Sequence, residues 1–131
     1  MKKLILVFSV ISFSYSFTTE PIVQSFNSIA TAMSTGNADA LSKYFDSYVE
    51  ISIADKEEIY EKDKAKTVLT DFFGKNKPKS FSQVHQGASK GKDTQYCIGE
   101  MPTAGGSYRV YLYMKIAGDQ YVIQEMRFDK Q

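Results

Sequence analysis

The chain has 131 residues, of which 43% are hydrophobic and 24% charged, and it contains one cysteine and one histidine. This composition is typical of one globular domain, and a single Cys with a single His excludes metal cages built from several such residues. Sixteen basic residues against fifteen acidic ones leave a net charge of +1, which gives no whole-molecule field to attract nucleic acid. We therefore expect no metal, no other cofactor and no nucleic-acid partner.

Residues 1–16 have the pattern of a secretory signal peptide. Two lysines near the start precede an apolar stretch over residues 4–13, and small residues at Ser14 and Ser16 suit a signal peptidase. A membrane anchor is the alternative, but so short a stretch does not comfortably span ~30 Å of hydrocarbon. We expect cleavage, export to the periplasm or the exterior, and one mature domain over residues 17–131 with no membrane span.

Two helices are predicted at the start of the mature chain. Apolar residues recur at intervals of three and four over residues 20–35, and Gly36 is positioned to end that helix. Asn37 can cap a second helix, because an Asn side chain accepts a hydrogen bond from a free N–H of the first turn. These helices are expected to face the core.

A hairpin and a third helix are predicted next. Residues 48–54 alternate between apolar and polar side chains, as a strand with one wet face does, and residues 56–61 form a short partner strand. Asp63 is the expected cap of the third helix and Gly74 its stop. The apolar face of that helix consists of Ala65, Val68, Leu69, Phe72 and Phe73.

After Pro78 the apolar period changes to two, which predicts four strands at about residues 80–88, 94–101, 108–117 and 120–128. Turn-forming residues separate them: 89–93, 102–107 and the Gly118-Asp119 pair.

The register of the last hairpin predicts a β-bulge. If Gly118-Asp119 is a two-residue turn, Ile116 faces Tyr121 and Met114 faces Ile123. Unbroken pairing would then place Leu112 opposite Glu125, which is a poor core contact. One extra residue near Gln124 restores the apolar face, with Leu112 opposite Met126 and Val110 opposite Phe128.

The same counting divides the strands into two faces. Met101, Gly99 and Cys97 share one face with Tyr108, Val110 and Leu112, and His85 is expected opposite Cys97. Helices covering one face of a bent sheet give an α+β cone, in which N-terminal helices pack on a strongly curved, mostly antiparallel sheet. The other face carries Tyr96, Ile98, Arg109, Tyr111 and Tyr113.

Several segments resemble the nuclear-transport-factor-2-like, or cystatin-like cone, superfamily. They are GNADALSKYFD, YVEISI, VLTDFF, KSFSQVHQG, YCIGEM and GGSYRVYLYMKIAGDQYVIQEMRF. More narrowly, they resemble a family of small exported bacterial proteins of unknown function, over about residues 20–130. The resemblance implies the cone fold. It implies no single activity, because the superfamily hosts isomerases, dehydratases, transport adaptors and non-catalytic binding modules.

Resemblance to ketosteroid isomerase or scytalone dehydratase would imply a base and a hydrogen-bond donor inside the cone. If the chain is an enzyme, His85 is the base, Asp55 approaches it from the end of its strand, and Tyr108 or Tyr121 is the donor. A Cys97–His85 nucleophilic pair would need an exposed thiolate and an oxyanion hole, which nothing in the sequence indicates. We favour a structural histidine against a small buried thiol, and assign no catalytic residue.

The inner face is also the candidate lining of an apolar ligand pocket. The residues assigned to it are His85, Cys97, Tyr108, Leu112, Met114 and Met126. A base in an open cavity would indicate an enzyme, and closed packing around His85 would count against one.

The outer face is the candidate interface. Tyr and Arg are enriched at the centres of protein interfaces, so Tyr96, Ile98, Arg109, Tyr111 and Tyr113 predict a homodimer packed back to back through its sheets. Two alternatives remain: Arg and Lys stems partly cover these aromatic rings, or the faces are inverted and the rings line the pocket.

The favoured function is an exported, non-catalytic binding or interaction module, dimeric, with a small apolar ligand or a peptide as a further partner. The alternative is a small-molecule isomerase or dehydratase of the ketosteroid-isomerase type.

Overall fold

The computed structural model describes Ser14, residues 21–88 and residues 93–131. The predicted signal peptide lies outside these ranges except for Ser14, and so does the predicted turn over residues 89–93 except for Asp93. The elements in the described ranges are α1 Pro21–Thr35, α2 Ala38–Ser42, β1 Phe45–Ile53, β2 Lys56–Glu61, α3 Lys62–Lys75, β3 Ser82–Ala88, β4 Thr94–Thr103, β5 Gly106–Ala117 and β6 Gln120–Lys130. None of the helices in this part of the chain has the length and apolar character that a membrane crossing requires.

The six strands form one mixed sheet in the order β2-β1-β6-β5-β4-β3. β1 runs parallel to β6, and every other neighbouring pair is antiparallel. The predicted α+β architecture, with N-terminal helices on a mostly antiparallel sheet, is confirmed. β1 begins at Phe45, three residues earlier than expected, because its first residue already pairs with β6.

The first helix ends, and the second helix begins, at the predicted residues. Gly36 follows α1 with a φ of +65°, a conformation that glycine adopts without steric cost. Oδ1 of Asn37 accepts a hydrogen bond of 3.0 Å from the Ala40 N–H, so Asn37 caps α2.

The predicted limits of the third helix are wrong at both ends. Glu61 occupies the N-cap position directly after β2 and makes no side-chain capping bond. Asp63 lies inside the first turn, where a negative charge interacts favourably with the positive end of the helix dipole. At the other end the helix continues through Gly74 to Lys75, and the Asn76 N–H donates to the Phe72 carbonyl oxygen at 2.8 Å.

The β5–β6 hairpin confirms the predicted turn and bulge. Ile116 pairs with Tyr121 and Met114 with Ile123, and the register then shifts so that Leu112 pairs with Met126 and Val110 with Phe128. Gln124 is the additional residue in β6. The bulge keeps the apolar side chains of both strands on one face.

Polar contacts join the bulge to the first residues of β1. Nε2 of Gln124 donates to Oδ2 of Asp46 at 3.2 Å, and Nζ of Lys115 lies 3.0 Å from the same oxygen. The hydrogen bond from Lys115 is the main reason that the pKa of the Asp46 carboxyl lies below its ordinary value, and the Ser47 N–H acts in the same direction.

The predicted division into faces is confirmed for β4, β5 and β6. Val110, Leu112, Met114, Met126 and Phe128 have no exposed surface, and they pack with Ile29, Met33, Leu69, Phe72 and Phe73 of the helices. Tyr111 and Tyr113 lie on the opposite side, so the faces are not inverted. The core therefore occupies the space between the helices and the inner face of the sheet.

The predicted register of β3 is wrong by one residue. His85 pairs with Ile98, and Gln86 is the residue opposite Cys97. The shift comes from a bulge between Gln83 and His85, which turns the imidazole to the outer face.

Candidate functional site

The outer face of β4 and β5 carries an aromatic patch, defined here as Tyr96, Ile98, Arg109, Tyr111 and Tyr113. Tyr96 lies opposite Tyr113, and Ile98 lies opposite Tyr111. Directly opposed side chains on one face of an antiparallel pair are in contact range, so the two strands present one continuous surface. All five residues are half-buried. The helices of residues 21–88 pack on the inner face, and none of them contributes to this surface.

Charged side chains of both signs border the aromatic patch. The guanidinium of Arg127 lies 5.6 Å from the ring centre of Tyr111, within cation–π distance, and its Nε lies 3.1 Å from Oδ1 of Asp129. Asp129 raises the pKa of the Arg127 guanidinium above its ordinary value. Arg109 lies 3.6 Å from Glu100, and its Nε is buried without an acceptor among the described residues.

His85 extends the aromatic patch to β3. Its Nε2 lies 3.0 Å from the hydroxyl oxygen of Tyr96, and the two rings are 5.6 Å apart. The Tyr96 ring lies across Gly87, where a β-carbon would approach the hydroxyl oxygen to 2.7 Å. Sequence reasoning missed both residues as parts of this surface. The available signal was a glycine opposite a tyrosine in neighbouring strands, a pairing in which the ring covers the bare backbone.

The structure does not bring the predicted catalytic residues together. Asp55 lies exposed in the β1–β2 turn with a φ of +63°, and His85 lies on the outer face of β3. Four strand spacings, about 19 Å along the sheet, separate their strands. The expectation that Asp55 approaches His85 from its strand end is therefore wrong.

The two candidate donors lie on the inner face at opposite ends of the β5–β6 hairpin. The Tyr108 hydroxyl donates to Oδ1 of Asn76 at 3.3 Å. The Tyr121 hydroxyl donates to Oε1 of Gln95 at 2.6 Å, and burial raises its pKa. Neither is on the face that His85 occupies.

Five of the six predicted pocket residues are buried in the core, namely Cys97, Tyr108, Leu112, Met114 and Met126. The sixth, His85, is exposed on the other face, so the predicted grouping of His85 with these side chains is wrong. That the buried five line a ligand site stays a prediction.

Cys97 has a thiol held in its protonated form by its surroundings. The residue has no exposed surface, and burial raises its pKa from 9.0 to about 11, because the thiolate would lose its hydration.

We expect native protein at pH 8 to react with a thiol reagent only through transient opening, and unfolded protein in guanidinium chloride to react at once. Because the native thiol keeps its proton up to a higher pH than the unfolded thiol, its contribution to stability is complete below pH 9 and is lost as the pH rises through 11. Equal labelling rates in native and denaturing buffer would contradict the burial of this side chain.

Comparison with known proteins places the chain among domains without an assigned activity. The family model of DUF4783, a domain of unknown function, matches residues 26–129. A DUF4783 family protein from Bacteroides ovatus is 33% identical with a TM-score of 0.74, and the match covers 79% of this chain and 93% of that chain. Another from Bacteroides uniformis is 31% identical with a TM-score of 0.74, covering 80% of this chain and 95% of that chain.

An NTF2-like protein from Cytophaga hutchinsonii shares the fold. It is 11% identical with a TM-score of 0.61, and the match covers 83% of this chain and 94% of that chain. A comparison with curated proteins finds no match. These similarities confirm the resemblance seen in the sequence. The chain belongs to the DUF4783 family, a domain of unknown function with the NTF2-like fold.

Proposed function

We propose that this protein is an exported, non-catalytic interaction module that forms a homodimer through the outer face of its sheet. The observation that carries the proposal is the aromatic patch: three tyrosines, an isoleucine and an arginine, half-buried on a face that none of the helices α1 to α3 covers. Tyr and Arg are the side chains that most often contribute large binding energies at the centre of an interface. A sheet face exposed only to water would not need these tyrosine and arginine side chains.

The charges around the aromatic patch favour a second copy of the same chain as the partner. A twofold interface brings one surface against itself, so the charges on that surface are complementary only if both signs are present. Arg109 and Arg127 lie on the same face as Glu100 and Glu125, in cross-strand register with one another and with the tyrosines. Each arginine is about half exposed, with side-chain accessibilities of 42% and 51%, so it retains donors for carboxylates of the partner. Nucleic acid would instead favour a surface of one sign.

Native mass spectrometry of the protein recovered from the exported fraction tests both parts of this proposal. We expect a species of twice the chain mass, and a chain mass reduced by the loss of residues 1–16. A species of one chain mass at every protein concentration would contradict the dimer. An intact leader, or recovery only from the cell interior, would contradict export without affecting the dimer.

A further inference from the structure

We infer that a cleft along α3 binds a small monocarboxylate with an alkyl or aryl tail, at a site separate from the aromatic patch. The cleft has a volume of about 420 Å³, which is in the range of small-molecule sites. It lies between one side of α3 and the strand ends at Ile53 and Tyr108. The aromatic patch contributes no residue to it.

The α3 side of the cleft is one helical stripe. Lys64, Val68 and Phe72 lie on it at intervals of four residues, and it continues to Lys75. Side chains at this spacing share one face of a helix, and the span from Lys64 to Lys75 is about 16 Å. The cleft is therefore elongated, with a lysine at each end.

The floor of the cleft is apolar. Val68 and Ile53 are only partly buried, and they lie beside the rings of Phe72 and Tyr108, which are 5.3 Å apart. An alkyl or aryl group placed here would remove the remaining apolar surface from water, which is favourable in proportion to the area covered.

The two lysines differ in their partners, and this difference orients the ligand. Nζ of Lys75 lies 3.2 Å from Oδ2 of Asp71, so that end of the cleft carries one positive and one negative charge. No carboxylate of residues 21–88 and 93–131 lies within 4.0 Å of Nζ of Lys64. The carboxylate of the ligand is therefore assigned to Lys64, and its tail to the floor formed by Val68, Phe72 and Tyr108.

A titration followed by amide chemical shifts of the isotope-labelled protein tests this site, with octanoate as the probe and octanamide as its uncharged counterpart. We expect octanoate to change the amide chemical shifts of Val68, Phe72 and Asn76. Octanamide is expected to bind about two- to fivefold more weakly, the range for one exposed ion pair. Lys64→Glu replaces an attraction by a repulsion, so it is expected to weaken octanoate binding by at least that factor and to leave octanamide binding unchanged. The matched control, Lys79→Glu, changes the charge equally at an exposed lysine outside the cleft.

A second variant tests the apolar floor. Val68→Thr keeps the side-chain shape and replaces one methyl group by a hydroxyl, so both probes are expected to bind about two- to fivefold more weakly. Each of the following results would overturn the inference: no shift at millimolar octanoate, equal binding of the two probes, shifts at the aromatic patch instead, or no effect of either variant. The dimer mass is measured independently, so these results leave the proposed function to its own experiment.

Discussion

Replacing Phe128 with alanine is expected to lower the free energy of unfolding by about 3–5 kcal/mol, the range for a buried aromatic side chain. Phe128 has no exposed surface, and its ring centre lies 4.6 Å from that of Phe72 and 6.4 Å from that of Phe73. It therefore joins β6 to α3 through the centre of the core. Urea unfolding followed by circular dichroism measures the loss.

The control for this prediction is Ile59→Ala, which removes a large apolar side chain from β2 where 66% of it is exposed. Substitutions at such positions usually change stability by no more than about 0.5 kcal/mol. The comparison also tests the bulge, because without the additional residue at Gln124 the side chain of Phe128 would point to the outer face. Similar small losses in both variants would contradict the assignment of the inner face.

The substitution Tyr111→Asp is expected to raise the dissociation constant of the dimer by about 30-fold or more, the effect of losing about 2 kcal/mol at an interface centre. Tyr111 is the ring that contacts Arg127 and lies opposite Ile98, so it is at the middle of the aromatic patch. The variant removes that contact and places a carboxylate where a desolvated surface is proposed. Sedimentation equilibrium over a range of concentrations measures the change.

Val23→Asp is the matched control, since Val23 is 46% exposed on α1, a helix that packs on the inner face. We expect its dissociation constant to equal that of the wild type. Tyr111→Phe keeps the ring and should also form the dimer. Thermal unfolding of the three variants separates a loss of association from a loss of folding. A dissociation constant unchanged by Tyr111→Asp would exclude the aromatic patch as the interface.

The bulge at Gln124 could be predicted because both strands of its hairpin have one buried face. The turn at Gly118-Asp119 fixes the first pairs, and the apolar alternation breaks at Glu125. A break in the alternation of a half-buried strand requires an additional residue, since the apolar side chains must return to the core. Counting alternate residues from these pairs then predicts which side chains of β5 and β6 face the core.

The register of β3 could not be predicted in this way. Its residues are exposed except for Gly87, which is half-buried, so no apolar alternation records which side chains face inward. An edge strand of this kind is held mainly by backbone hydrogen bonds, which do not depend on side-chain identity. As a result, the sequence pattern predicts His85 on the inner face and does not predict its contact with Tyr96.

The cleft along α3 could not be predicted from the sequence either, because strands distant in the chain complete it. The stripe of Lys64, Val68 and Phe72 is visible in the sequence, but the strand ends that complete the cleft come from β1 and β5. The parallel pairing of β1 with β6 brings the end of β1 to that position, and parallel pairing leaves no local turn signal.

Hydroxyl-radical footprinting of the tyrosines, at protein concentrations below and above the dimer dissociation constant, tests most directly whether the outer sheet face binds a second copy. Oxidation of Tyr96, Tyr111 and Tyr113 is predicted to fall as the dimer forms. Tyr60 of β2, which is half-buried on the inner face opposite Val49, provides an internal reference. Equal oxidation of these three tyrosines at both concentrations, with a dimer shown to be present, would contradict an interface at the aromatic patch.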